Sequence, residues 1–203
     1  MLGAALLWLT GLLSAWLVVP AIALGLSVLH ELEHDLIHDL YLTRSAALKN
    51  AVLFGIWVGK ASLNPWSRGR IHLWHHVVSG QPEDIEERLI GLGLPWGLKR
   101  VVLTLLPAGS IAQARSIRRA VKARRLAGGR TPDLRHPPWF AAVRVVDAAF
   151  IALPFLAVGG LMLGAPWAWP LLVLWVLPNT IRHASIVLMS SSSHYVEIDR
   201  ANL

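Results

Sequence analysis

Two long runs almost free of charge decide what this chain can fold into. Residues 2–29 carry no charged side chain, and residues 145–177 carry only Asp147. A helix needs roughly 20 apolar residues to cross a bilayer, so both runs are long enough. The rest of the composition agrees, with 55% hydrophobic residues, 15% charged residues and ten tryptophans. The first run lacks a basic leading segment and continues too far before a polar break to be a signal peptide. The expected fold is an all-α integral membrane protein. It should have about three transmembrane helices, interfacial helices and a cytoplasmic basic helical cap.

Within that frame, residues 1–203 read as a single domain. The first run reads as one transmembrane helix over 2–29, kinked at Pro20 and continuing through Tyr41, because no turn signal interrupts it. Residues 46–59 and 89–108 are apolar but short or Gly/Pro-interrupted, which suits the interface or a re-entrant path. Residues 110–127 predict a helix with Arg115, Arg118, Arg119, Lys122 and Arg125 on one face and Ile117 and Val121 on another. GGRTPDLRHPP (128–138) is a loop. A second span runs from Trp139 to Leu163, GAPWAWP is a turn, and a third span starts at Trp167 and carries Asn179 and His183.

Seventeen of the nineteen lysines and arginines lie between Arg44 and Arg144, between the two apolar runs. The positive-inside rule assigns such a segment to the cytoplasmic side, here of a bacterial inner membrane, and the candidate site with it. The basic helix suits anionic lipid headgroups or, as a sharper alternative, an acidic redox partner. The net charge of +7 does not point to nucleic acid, because basic residues are not interleaved with aromatics on a soluble fold. With no cysteine, the chain has no disulfide, thiolate cluster or cysteine nucleophile.

The chemistry-bearing residues are histidines, and seven of the nine fall into three tight sets. His30, His34 and His38 stand at i, i+4 and i+8, one stripe of a helix. Glu31, Asp35 and Asp39 form a neighbouring stripe whose carboxylates can accept the second ring N–H of a ligating histidine. The blander reading is a polar helix end that pairs with Arg44 and Lys49. His72, His75 and His76 in HLWHH share one helix face and can aim at one metal region. Asn179 and His183, again i and i+4, are a polar pair inside an apolar span. Imidazole suits iron, zinc or copper. His136 has no spacing partner, and His194 reads as structural.

HELEH also satisfies H-E-x-x-H, the zinc-protease pattern, but that reading leaves the second and third sets unexplained. The ordered series H-x-x-x-H, H-x-x-H-H and N-x-x-x-H resembles the membrane fatty acid desaturase and alkane monooxygenase superfamily. The stretch HHVVSGQPED (75–84) is similar to that family's second box and the residues directly after it. The resemblance implies a non-haem di-iron centre that activates dioxygen at the cytoplasmic membrane surface. It implies His30, His34, His72, His75, His76 and His183 as ligands, with Asn179 bound directly or through water. His38 joins them by its helix position, and Glu31, Asp35 and Asp84 support them.

The expected activity is O2-dependent desaturation or hydroxylation of lipid acyl or alkyl chains, with membrane lipids around the protein. No G-x-G-x-x-G is present, so electrons come from an external donor of ferredoxin or rubredoxin type. The rivals are a membrane zinc metalloprotease through HELEH and a non-enzymatic metal-binding membrane module. The family pattern has a final H-x-x-H-H beyond N-x-x-x-H, and the sequence stops at Leu203 without it. The expectation is therefore a C-terminally incomplete chain that binds substoichiometric metal and does not turn over.

Overall fold

The computed structural model describes residues 1–79, 81, 83–88, 94–95, 97–105, 108–133 and 140–193. Among them every regular element is helical: α1 (Leu2–Leu9), α2 (Ala15–Ile37), α3 (Ala46–Lys60), α4 (Pro65–Val78), α5 (Ile85–Arg88), α6 (Leu98–Leu105), α7 (Ala108–Leu126), α8 (Phe140–Met162), α9 (Ala168–Leu171), a π turn (Leu172–Val176) and α10 (Leu177–Ser193). Three helical stretches are long and apolar enough to cross a membrane: Ala15–Ile37, Phe140–Met162 and Ala168–Met189. The expected all-α class and number of spans are borne out.

The first span differs from the sequence expectation at both ends. Instead of one helix from residue 2 through Tyr41, α1 stops after Leu9. There Thr10 turns its hydroxyl onto the Leu6 and Leu7 carbonyls, and Gly11 takes φ +78°. α2 restarts after the extended Ser14 and passes through Pro20. It closes with Asp39 in the left-handed region (φ +57°), where the Asp39 and Leu40 N–H groups reach the Leu36 and Asp35 carbonyls. This is a left-handed helix stop made without the usual glycine.

The chain forms two compact units, Met1–Pro65 with Ala141–His183, and Trp66–Phe140 with Ala184–Leu203. In the first, α2 packs against α1, α3 and the π turn. Val18, Val19, Ile22 and Leu26 recur on one face of α2 and enclose Val173. A second core joins Leu36 to Leu53 and Ile56. On α3 the inward stripe is Leu53, Ile56, Trp57 and Lys60, so helical spacing alone carries a lysine into the interior. There Lys60 Nζ donates to Glu33 Oε2 at 2.6 Å, with both side chains almost wholly buried.

Asp147, the only charge in the second apolar run, is held in the same unit. It accepts from Asn64 Nδ2 at 2.6 Å and from Trp57 Nε1 at 3.2 Å. In a bilayer apolar burial gives helices little reason to associate, so such polar contacts help fix α3 and α8 together. The α8–α9 turn is tight. A Cβ on Gly160 would lie 2.7 Å from the Trp167 ring and 2.9 Å from Ala168 Cβ.

In the second unit α7 packs on α5 and α6. It realises the basic helix expected over 110–127, with Val121 buried and Arg115, Arg118, Arg119, Lys122 and Arg125 exposed. The apolar segments expected at the interface are helical over Ala46–Lys60 and Leu98–Leu105. Residues 128–133 form no helix, as expected of the loop, and the rest of that loop lies outside the described residues.

Candidate metal centre

α4 starts at Pro65, a residue suited to a first helical position because its missing N–H would have no partner there. His72, His75 and His76 fall in its last two turns. His72 is buried, His75 half-buried and His76 exposed at the rim. The chain then doubles back through a turn in which Gln81 N–H reaches the Val78 carbonyl and Asp84 N–H the Gln81 carbonyl. The return brings two carboxylates under the histidines. His75 Nδ1 lies 2.6 Å from Asp84 Oδ2, and His72 Nδ1 lies 3.1 Å from Glu86 Oε1.

These contacts settle which nitrogen of each ring faces outward. A carboxylate accepts, so Nδ1 of His72 and His75 carries the proton, and in the neutral ring each Nε2 keeps its lone pair. His72 Nε2 then sits 3.1 Å from His76 Nε2. Two imidazole nitrogens each about 2.1 Å from one ion, at right angles, stand roughly 3 Å apart. This half of the donor set suits a transition metal, with carboxylates behind the imidazoles to fix tautomer and basicity.

Glu86 reports the same field. Burial pushes its carboxyl up, but the His72 hydrogen bond, the charges that His72 and His75 carry when protonated, and Arg68 outweigh this and leave it below its ordinary 4.5. Sequence reasoning missed Glu86. Its only signal was an acidic pair just past Asp84, and only the turn after α4 brings it back to His72.

In the first unit His34 and His38 are a ring pair, with centroids 4.6 Å apart at 57°. His34 Nδ1 is 3.6 Å from Asp35 Oδ1, and both side chains are half-buried. His38 is the C-cap of α2, just beyond the stripe expected for it. Glu31 is exposed on the outer face. Asp39, turned out by the helix stop, pairs with Lys49 Nζ at 2.6 Å. That part of the polar-helix-end reading holds.

His30 stands differently. Lys60 Nζ, already on Glu33, also lies 3.1 Å from His30 Nδ1. An ammonium only donates, so that Nδ1 accepts and the ring's proton sits on Nε2. In this arrangement His30 offers no lone pair to a metal, zinc and iron alike. Neither Glu33 nor Lys60 was singled out in the sequence.

On α10 the Asn179 amide donates to the Trp175 carbonyl at 3.1 Å, while its buried Oδ1 has no partner among the described residues. An orphaned carbonyl oxygen in an apolar span costs free energy unless a ligand, water or metal meets it. His183 comes one turn later, half-buried on the same helix. The π turn just before Asn179 is a feature that recurs at functional sites. His136 and His194 lie outside the described residues.

No curated protein and no solved structure matches the chain. A family model does. It is that of the fatty acid desaturases, and it aligns with residues 8–202, which include all three histidine sets in their order. The histidine geometry and this match lead to one conclusion: the chain is an integral membrane protein belonging to the fatty acid desaturase family.

Proposed function

We propose that this protein is an O2-dependent oxidoreductase that desaturates or hydroxylates lipid acyl or alkyl chains at a di-iron centre. The observation that carries the reading is the His72–His76 pair, two imidazole Nε2 atoms 3.1 Å apart with the Nδ1 of His72 held by Glu86. The proposed ligands are His34, His38, His72, His75, His76 and His183, with Asn179 Oδ1 as an oxygen donor. His30 joins them when Lys60 turns from its Nδ1 wholly to Glu33. Residues 1–203 act in this reading as one catalytic domain, with the site on the cytoplasmic side of a bacterial inner membrane.

When bound, iron supplies the redox chemistry that couples dioxygen reduction to oxidation of an unactivated C–H bond. The chain's own residues prepare for it. Glu86 and Asp84 accept the Nδ1 protons of His72 and His75, lock the tautomers and leave neutral Nε2 donors facing outward. Asp35 Oδ1, 3.6 Å from His34 Nδ1, is too far to accept its proton and acts on that ring only through its charge. The apolar flanks of the three spans give a lipid chain a medium like its own, so substrate reaches the site without crossing water.

Metal analysis and a lipid assay test the reading together. With the family's full histidine set in place, the protein loaded with iron should hold about two irons per chain through its imidazoles. It should also consume O2 and oxidise phospholipid acyl chains or alkanes when given an electron donor. Zinc retained in preference to iron, with peptide hydrolysis and no lipid oxidation, would establish the protease instead. Reporter fusions should place residues 44–135 in the cytoplasm, and a periplasmic result there would overturn the assigned side.

A further inference from the structure

We propose that the exposed cationic face of α7 docks a small acidic electron-carrier protein, the reductant that the proposed reaction consumes. The inference rests on that functional reading and adds the partner's surface to it. The requirement comes from the balance. Desaturation runs as CH2–CH2 + O2 + 2 H+ + 2 e− → CH=CH + 2 H2O, and hydroxylation as CH2 + O2 + 2 H+ + 2 e− → CHOH + H2O. Both draw two electrons from outside the substrate, and the chain has neither cysteine nor a dinucleotide fingerprint with which to hold its own carrier.

α7 is built for one kind of visitor. At 100° per residue, Arg115, Arg118, Arg119, Lys122 and Arg125 fill an arc of about 120°, and all five are exposed. The opposite arc holds Ile117, Ala120, Val121 and Arg124, all half-buried or buried, with Val121 at 7% exposure. A helix that binds a bilayer by lying in it keeps its apolar face free to enter the lipid. Here that face is already spent on α5 and α6. What remains is a dense charge surface with Leu126 as its one large apolar residue among the described side chains. Weak redox complexes use small, charge-steered interfaces of this kind.

The inner side of α7 leads to the histidines. Arg124 donates to Glu83, whose backbone carbonyl accepts from Trp74 Nε1 at 3.3 Å. Arg130 stacks 5.3 Å from the Trp74 ring centroid. The next residue, Asp84, holds His75, and α5 beneath α7 carries Glu86 against His72. A donor on α7 therefore sits one ion pair and one turn of chain from the imidazoles of α4.

The test uses the full chain in nanodiscs of uncharged phosphatidylcholine, with a purified acidic [2Fe–2S] ferredoxin as probe and binding as readout. Arg118→Glu and Arg119→Glu should each weaken binding about tenfold, and raising ionic strength should weaken the wild type similarly. Arg44→Glu, a matched charge change on an exposed residue, should leave binding alone. Equal loss with Arg44→Glu, or none with the α7 variants, would overturn the docking face. So would hydrogen-exchange protection of α7 that appears in phosphatidylglycerol nanodiscs without ferredoxin, because the occupant would then be lipid. Charge-dependent binding in a protein that oxidises no lipid with any reductant supports the docking face and sinks the functional reading instead. Unchanged thermal midpoints show that the variants fold.

Discussion

His75 and Asp84 meet at 2.6 Å across the turn after α4, and Asp84 is 1% exposed. A carboxylate buried to that extent against a histidine orients the ring and raises its basicity. Asp84→Asn keeps the shape and removes the charge. Metal affinity should fall about 10- to 100-fold, as it does when such supporting carboxylates are lost elsewhere. Titration with iron(II), with metal analysis after gel filtration, reads the change. Full retention would show that His75 needs no such support.

Glu86 makes the site sensitive to acid. Its carboxyl lies below the ordinary 4.5, with burial opposing the shift and His72, His75 and Arg68 producing it. A carboxylate with a depressed folded value adds stability that is complete above the unfolded value and fades as pH falls through the folded one. Thermal midpoints in detergent should therefore drop with acidification below about 4.5. Glu86→Gln should start from a lower midpoint and lack that part of the slope. Parallel curves for the two proteins would remove Glu86 from the account.

The Lys60–Glu33 pair should behave as a buried ion pair. Lys60→Met leaves Glu33 a buried carboxylate without its ammonium, at a cost of about 3–5 kcal/mol. Lys60→Met combined with Glu33→Leu should recover most of that loss, since a buried pair replaced by apolar side chains is often neutral. Unfolding of the single and double variants in one detergent decides it. A double variant no more stable than Lys60→Met would show that the two side chains act separately.

Gly160 is a packing position. With the Trp167 ring and Ala168 Cβ within 3 Å of where a Cβ would stand, Gly160→Val must push the α8–α9 turn apart. The expected loss is about 1–3 kcal/mol, in the range of overpacked cores. Gly159 has open space around its Cβ position, so Gly159→Ala should cost far less. Equal melting temperatures for the two variants would contradict this.

Much of the architecture could be read from residue order because bilayer crossing and helical spacing are local properties. The spans ending at Met162 and Met189, the basic α7 and the i, i+4 partnerships all arise from patterns within a few turns. The break between α1 and α2 did not show, because Thr10 and Gly11 sit unremarked in an apolar run and the stop is made by Gly11's left-handed backbone (φ +78°). The end of α2 was hidden for a related reason, since Asp39 occupies a conformation that glycine normally advertises. Glu86 and Lys60 were missed because each meets its histidine across a turn or between two helices, and Glu33 because its partner Lys60 lies on another helix. Spacing along one helix cannot report such meetings.

The π turn at Leu172–Val176 places one surplus residue in the last span. Deleting any one of those five residues would leave the span's length and hydropathy almost as they are. It would also restore a plain α-helix and leave Asn179 and His183 facing almost as before, because the wide turn absorbs its extra residue; winding the same residues as plain α-helix would swing the pair about 100° around the axis. The winding of this one turn is silent to any measure of membrane fitness and decisive for which way the polar pair looks.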